Sequence, residues 1–377
     1  MGRDFLVADA LMVKFRSLVT AAAFLLVACG LVAVGSFMAA RKIQSSEIIV
    51  LADSPFNGQS LVTAELPTAP DVKRSASLVF VGDIMLDRHV LERINQTKDD
   101  TYPFHKIMTD ARFTSADVQI ANLEGPITNV RRPPVKSIDF AFDPRFAVVL
   151  RQIGFDAVSQ ANNHTFDQGR AGQEDSRHFL QDAGIEVFGD ELEENNASLA
   201  TLFVHGRRVS LVGFNSVSDM VDRKSAADVM NKARQDADSV VVFMHWGEEY
   251  RDHPTRSQEE FGRWLIDNGA SIVIGGHPHW TEGIALYKGK PIVYSLGNFV
   301  FDQDWSKETM QGLAVKVLLS DEETQIELNP IQIDKSQPHF VDGAEREDRL
   351  REIASLSDTA LTSQILQGHI ILPFSQP

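Results

Sequence analysis

The sequence predicts an α/β protein in which two β-sheets pack face to face between helices, set behind an amino-terminal hydrophobic run. Three observations carry this. Short β-branched apolar runs without polar alternation recur from Ala76 onward, as strands buried on both faces do. Segments of helical spacing separate them, several ending at a glycine. The later part turns to paired runs with the look of hairpins and antiparallel strands.

Composition bounds the function. Hydrophobic residues make up 43% of the 377-residue chain and charged residues 23%, ordinary values for a folded protein. The net charge of −16 argues against nucleic acid as a partner, which needs clustered Lys and Arg. Cys29 is the only cysteine, so the chain forms no internal disulfide and no thiolate zinc site.

Taken in order, the elements begin with an uncharged run of 24 residues, Ser17 to Ala40. As a helix it would reach ~36 Å, enough to cross a bilayer core. Lys14 and Arg16 precede it and Arg41 and Lys42 follow, so charge orients it weakly. Its place near the start suggests a signal anchor, with residues 1–42 as stub and single membrane span and the rest outside the cytoplasm. Leu26-Val27-Ala28-Cys29 resembles a lipobox, which makes a lipoprotein anchored through Cys29 the alternative. The apolar run continues past it, and cleaved signal peptides have shorter apolar regions of ~7–15 residues. Residues 43–75 hold Pro55, Gly58, Pro67 and Pro70 and suit a linker. The folded domain is expected over 76–377.

Within it, Ala76–Val81, Val118–Ala121, Ala157–Ser159, Ser239–Met244 and Ser271–Ile274 are the expected buried strands. Arg145–Ile153, Gly172–Ala183 and Arg256–Asn268 are the expected helices, capped by Gly154, Gly184 and Gly269. Arg207–Gly213, Gly283–Tyr294, Leu313–Ser320 and Thr324–Ile333 read as hairpins and antiparallel strands. Glu345–Ser357 reads as a charged amphipathic helix packed on the surface.

The chemistry-bearing residues follow the strands, where open α/β sheets place ligands. They are Gly82-Asp83, Asn122-Leu123-Glu124, Asn162-Asn163-His164, His245-Trp246-Gly247 and Gly276-His277-Pro278-His279. Singly, each has a plainer reading: Asp83 as a cap, Glu124 as a turn acid, the asparagines as tolerant of left-handed backbone, His245 as a packed core residue. Together, at five strand ends, they read as a site. One carboxylate can bridge two cations ~3.5–4 Å apart while imidazoles and an amide oxygen complete the shells. A nitrogen and oxygen donor set without thiolate suits one or two Mn, Fe, Zn or Co ions better than Ca. Such a pair acidifies water and offsets charge on a phosphoryl-type transition state.

These segments, with Ala161 and the string Ser295-Leu296-Gly297-Asn298-Phe299-Val300-Phe301-Asp302-Gln303, resemble the CapA family of capsule (poly-gamma-glutamate) synthesis proteins, within the calcineurin-like metallophosphatase superfamily. The resemblance spans Ser75 to Ile333 and implies a four-layer α-β-β-α sandwich. By position it implies that Asp83 and His279 hold a first metal and that Asn163, His245 and His277 hold a second. Glu124 would bridge the two, and His164 would contact the reacting group. Two departures stand out. Met85 occupies the place of a histidine ligand, and the bridging acid is Glu rather than Asp. Met85 is a poor ligand for a hard cation, which leaves the first site weak, solvent-filled or completed by a neighbour such as His89, while Arg88 would offer a bidentate anion contact.

The expected function is therefore a metal-dependent hydrolase of the cell envelope, acting on a phosphoester or a related anionic polymer, with other polymer-synthesis subunits as partners. The alternative is a non-catalytic envelope subunit that binds or guides an anionic polymer through a residual metal site.

Overall fold

The strand segments assemble because their apolar residues face two ways at once, and that produces paired sheets. The computed structural model describes residues 74–189, 199–217 and 219–373, all within the unit Ala69–Pro377. The expected anchor and the linker up to residue 73 lie outside the described residues. Among the described residues, no helix is long and apolar enough to cross a membrane.

In the first sheet β1 (Ala76–Ile84), β2 (Val118–Leu123), β3 (Ala157–Ser159) and β4 (Glu186–Phe188) run parallel as neighbours. The second sheet begins with β5 (Leu199–Val204), antiparallel to β6 (Arg207–Asn215). Parallel to β6 run β7 (Ser239–His245) and β8 (Ile272–Gly276). The hairpin of β9 (Ile284–Tyr287) and β10 (Lys290–Val293) closes this sheet, β10 lying parallel to β8. The chain then returns to the first sheet. There β11 (Asn298–Val300) pairs parallel with the end of β1, and β12 (Gln311–Leu319) lies antiparallel to its start. Antiparallel β13 (Glu323–Asp334), β14 (Gln337–Phe340) and β15 (His369–Pro373) complete it.

The core has three layers of apolar contact. Between the sheets, Leu78 and Phe80 of β1, Ile120 of β2 and Val315 of β12 meet Leu211, Val241, Phe243 and Ile274 of the second sheet. Outside the first sheet, Val79 and Val81 pack with Phe146, Leu150 and Ile153 of helix Arg145–Ile153. Outside the second, Val212, Val242 and Met244 pack with Met230 and Ala233 of helix Arg223–Asp236 and with Phe261 and Leu265 of helix Arg256–Asp267. Layers therefore run helix, sheet, sheet, helix.

Helix Arg145–Ile153 ends as expected at Gly154, whose φ of 115° lets its N–H reach Leu150 and Arg151 carbonyls. Helix Arg256–Asp267 opens with a capping box in which Thr255 and Gln258 satisfy each other's backbone N–H. The carboxyl-terminal helix, Gly343–Leu356, departs from the expectation of surface packing: Leu350, Ile353 and Ala354 enter the inter-sheet core. Arg207–Gly213 is hairpin-like on one side only, since β6 pairs antiparallel with β5 and parallel with β7.

One irregularity positions the site. At Gly82 and Asp83 the register of β1 slips against both β2 and β11, a bulge that re-aims the side chains after it. Gly82 is required there, because a Cβ would lie 1.9 Å from the Gly297 carbonyl oxygen. Beyond the bulge Ile84, Met85 and Leu86 all enter the same outer apolar cluster, so the two-residue alternation ends at Asp83.

Candidate metal centre

The carboxyl ends of β1, β2, β3, β7 and β8 deliver polar groups that converge on Glu124. Its carboxylate is fully buried and neither oxygen has a hydrogen-bond donor. Around Oε1 stand His245 Nε2 at 3.8 Å, His279 Nε2 at 3.9 Å and His164 Nε2 at 4.0 Å. Two tight ligand groups share it: Glu124 with His245 and His277, and Glu124 with Asp83 and His279. In each, the donor atoms lie within 4.8 Å of one another.

Asn122 ties the two groups together. Its Nδ2 donates to Asp83 Oδ1 at 2.8 Å and lies 3.2 Å from His245 Nδ1, while its Oδ1 accepts from Asn162 Nδ2 at 3.0 Å. Asp83 also accepts the His277 N–H at 3.2 Å. His277 and His279 both have positive φ, 97° and 59°, an uncommon backbone for residues with side chains and a frequent companion of function. Asn298 Oδ1, in the string after β10, lies 2.9 Å from His279 Nδ1 and fixes that ring from outside. Asn163 Oδ1 is 2.8 Å from His245 Nε2.

The electrostatics suit a cation-binding ligand set. Burial pushes Glu124 well above the usual carboxylate range, and the Asp83 charge adds to this. Burial likewise raises Asp83 to about 6, against hydrogen bonds with Asn122, the His277 N–H and Glu124. Burial drives His245 well below the usual imidazole range, His277 to about 4 and His279 to about 3, the neighbouring imidazoles adding to it. Neutral imidazoles around an undonated carboxylate form a ligand set whose missing element is positive charge. The orphaned Nδ1 of buried His277 fits the same reading. The residues present fit divalent cations.

His164 stands at the edge, its ring tilted against Phe140 at 4.4 Å. Its Nδ1 pairs with Asp167 Oδ2 at 2.7 Å, and Asp167 Oδ1 meets Lys136 Nζ at 2.5 Å. Arg88 lies at the rim with its guanidinium 5.2 Å from the Phe140 ring centre and its fork held by Asp302.

Two expectations fail. Met85 does not face the cluster: it is buried among core residues and its sulfur accepts the Asp87 N–H at 3.1 Å, because the bulge breaks the alternation that would have aligned it with Asp83. His89 does not complete the first group either. It is exposed, on helix Arg88–Thr97, and paired with Glu92 at 2.9 Å. Four residues were not singled out as site residues. Asn122 and Asn298 lay inside quoted motifs; Asp167 could have been found from its His-x-x-Asp spacing to His164. The fourth, Glu249, has a carboxylate oxygen within 4.8 Å of nitrogens of His277 and His279.

Comparison with known proteins gives the family. Residues 77–303 match the family described as bacterial capsule synthesis protein PGA_cap. The PGA biosynthesis protein CapA of Bacillus subtilis is 30% identical over 79% of this chain and 82% of its own length. The capsule biosynthesis protein CapA of Bacillus anthracis is 30% identical over 73% of this chain and 71% of its own. A probable polyglutamine synthesis accessory protein of Mycobacterium tuberculosis is 28% identical over 63% and 70%. A solved structure of a hypothetical protein from Thermus thermophilus shares 16% identity over 70% of this chain and 95% of that one, at a TM-score of 0.40. The chain belongs to the CapA family of bacterial capsule synthesis proteins.

Proposed function

We propose that this CapA-family chain is a metal-dependent hydrolase of the cell envelope, acting on a phosphoester or a related anionic group in capsule or poly-gamma-glutamate biosynthesis. The observation that carries it is the buried, undonated Glu124 carboxylate ringed by imidazoles. Divalent cations, one or two of Mn, Fe, Zn or Co, would supply Lewis acidity and the positive charge that an anionic transition state needs. Asp83, Glu124 and His279 would hold one, and Glu124, Asn163, His245 and His277 the other.

The chain's own residues do the rest. Asp167 holds the His164 ring through Nδ1, which leaves Nε2 facing the cluster, able to deliver a proton to a leaving oxygen. Lys136 keeps the second Asp167 oxygen engaged, so the carboxylate cannot swing away. Arg88 stands at the rim with its fork paired to Asp302, so the bidentate anion contact expected of it would need that pair to open. The uncharged Ser17–Ala40 run supports a membrane anchor with this domain outside the cytoplasm, beside the other subunits of polymer synthesis.

The test is turnover of a chromogenic phosphodiester by the purified chain loaded with Mn2+. His164→Gln should lower kcat by ~10²–10⁴-fold, the usual contribution of a proton-transferring residue, with metal content unchanged. One observation favours a second reading: with Met85 turned into the core, the Asp83 side has one ligand fewer. A chain that binds metal and anionic polymer but turns over nothing would be a guiding subunit rather than a hydrolase.

A further inference from the structure

The two ligand groups around Glu124 are unequal. The His245 side can count Glu124, His245, His277 and the Asn163 amide oxygen; the Asp83 side can count only Asp83, Glu124 and His279. A cation held by three protein ligands keeps an open position, and neither Met85 nor His89 reaches it.

The loop after β7 brings the Glu249 carboxylate within 4.8 Å of nitrogens of His279, a ligand on this side, and of His277, a ligand on the other. Gly247 turns with φ 90° and Tyr250 adopts φ 62°, a left-handed backbone that a bulky side chain rarely takes. Long-range contacts hold Tyr250 in it. Its N–H donates to the Pro278 carbonyl at 2.9 Å, between the two histidines of the cluster. Its ring stacks on His279 at 6.0 Å, with Trp305 against its other edge at 4.8 Å. Its hydroxyl accepts from Gln303 Nε2 at 3.2 Å. Burial and the adjacent Glu249 charge raise that hydroxyl to about 12. Both Glu248 and Glu249 are exposed, but Glu248 is paired with Arg251 at 3.5 Å, whereas Glu249 has an oxygen within 4.8 Å of the His277 and His279 nitrogens. Glu249 is thus placed beside His277 and His279 by a pinned loop, not by chance on a loose one.

We propose that Glu249 supplies a carboxylate oxygen to the cation held by Asp83, Glu124 and His279, filling the position that Met85 leaves open. This rests on the metal-centre reading above. Tyr250 is its positioning residue, pinning the backbone that carries Glu249. Three carboxylates then stand against the four positive charges of a divalent pair, leaving net positive charge to meet an anion.

The experiment is Mn2+ titration of the full-length purified chain by equilibrium dialysis, with chelator competition and the electron paramagnetic resonance spectrum of the bound ions. Wild type should hold two equivalents and show the spectrum of a coupled pair. Glu249→Gln should weaken one equivalent by at least about tenfold, leave the other unchanged and give the spectrum of an isolated ion. Tyr250→Phe should weaken the same equivalent by less, and Glu248→Gln should match wild type. If Glu249→Gln keeps both equivalents at wild-type affinity and the coupled spectrum, Glu249 is no ligand while the metal centre stands. If wild type binds no Mn2+, the metal centre and this inference fall together.

Discussion

Glu124 and Glu282 are both fully buried carboxylates, each with an oxygen that no donor reaches, yet their surroundings treat them in opposite ways. Glu282 follows the His279 turn by three residues and accepts from Gln258 Nε2 at 2.8 Å; burial raises it to about 8. Its polar partner is that one neutral amide. No N–H or hydroxyl reaches Glu124, whose acid partner is Asp83, and three imidazole nitrogens lie within 4.0 Å, two of them on rings that burial holds neutral. The comparison teaches that a buried acid is not by itself a ligand. Burial raises both acids, but Glu282 has a single neutral amide partner, whereas Glu124 stands among imidazole nitrogens that a shared cation would satisfy together with the carboxylate.

Charge removal at each position gives the widest separation. Glu124→Gln should abolish tight binding at both metal positions, because both ligand groups share it, while Glu282→Gln should leave metal content at wild type. Metal analysis after dialysis reads both. Wild-type binding should also weaken as pH falls, because protons compete for Glu124, which burial holds well above the carboxylate range, and for Asp83 at about 6; His277 and His279 compete only near 4 and 3. Equal metal content in Glu124→Gln and wild type would end the distinction.

Stability against pH sharpens the same contrast from the other side. The folded-state value of Glu282 lies above the ordinary 4.5, so the stability of its neutral form is fully present below about 4.5 and is lost as pH rises through about 8. Glu282→Gln has no proton to lose. The melting temperature of the variant relative to wild type should therefore climb steadily from pH 5 to pH 8 and level above it. The gap corresponds to a few kcal/mol at most, at about 1.4 kcal/mol per pKa unit. Parallel curves for the two proteins across that range would show that Glu282 is ionised in the fold.

What sequence could read followed the range of the forces involved. Helix Arg145–Ile153 was legible to the residue because Phe146, Val149, Leu150 and Ile153 make a strong stripe and Gly154 stops it. Helices Arg88–Thr97 and Arg223–Asp236 were not, since the first buries only Val90 and Ile94 and the second relies on Ala226, Val229, Met230 and Ala233 among charges. Strand-end positions for Asp83, Glu124, His245 and His277 were legible because a polar group directly after a buried apolar run is a local signal. The role of the Tyr250 loop was not, because it depends on Pro278 and Gln303, far along the chain. Nor was the bulge that turned Met85 away, which depends on Gly82 meeting Gly297.

Met85 gives the smallest expected effect and decides whether a third buried group belongs with the site or with the packing. It lies among Ile84, Leu86 and Val90, and its one polar contact is the Asp87 N–H. Asp87 caps helix Arg88–Thr97 through the Arg88 N–H at 2.8 Å and also accepts the Ala141 N–H at 3.0 Å. Met85→Leu keeps the volume and loses a weak acceptor, so it should cost less than about 1.5 kcal/mol and leave both equivalents of Mn2+ in place. Met85→His buries an imidazole in apolar surroundings with the Asp87 N–H as its one polar neighbour. It should destabilise by about 1–3 kcal/mol, the usual cost of an imperfectly satisfied buried polar group, again without tightening metal binding. Urea unfolding and chelator competition on the two variants measure this. If Met85→His instead tightens one equivalent, the bulge at Gly82 and Asp83 can re-form with the imidazole facing the cluster. The open position on the Asp83 side would then belong to β1 rather than to the loop that carries Glu249.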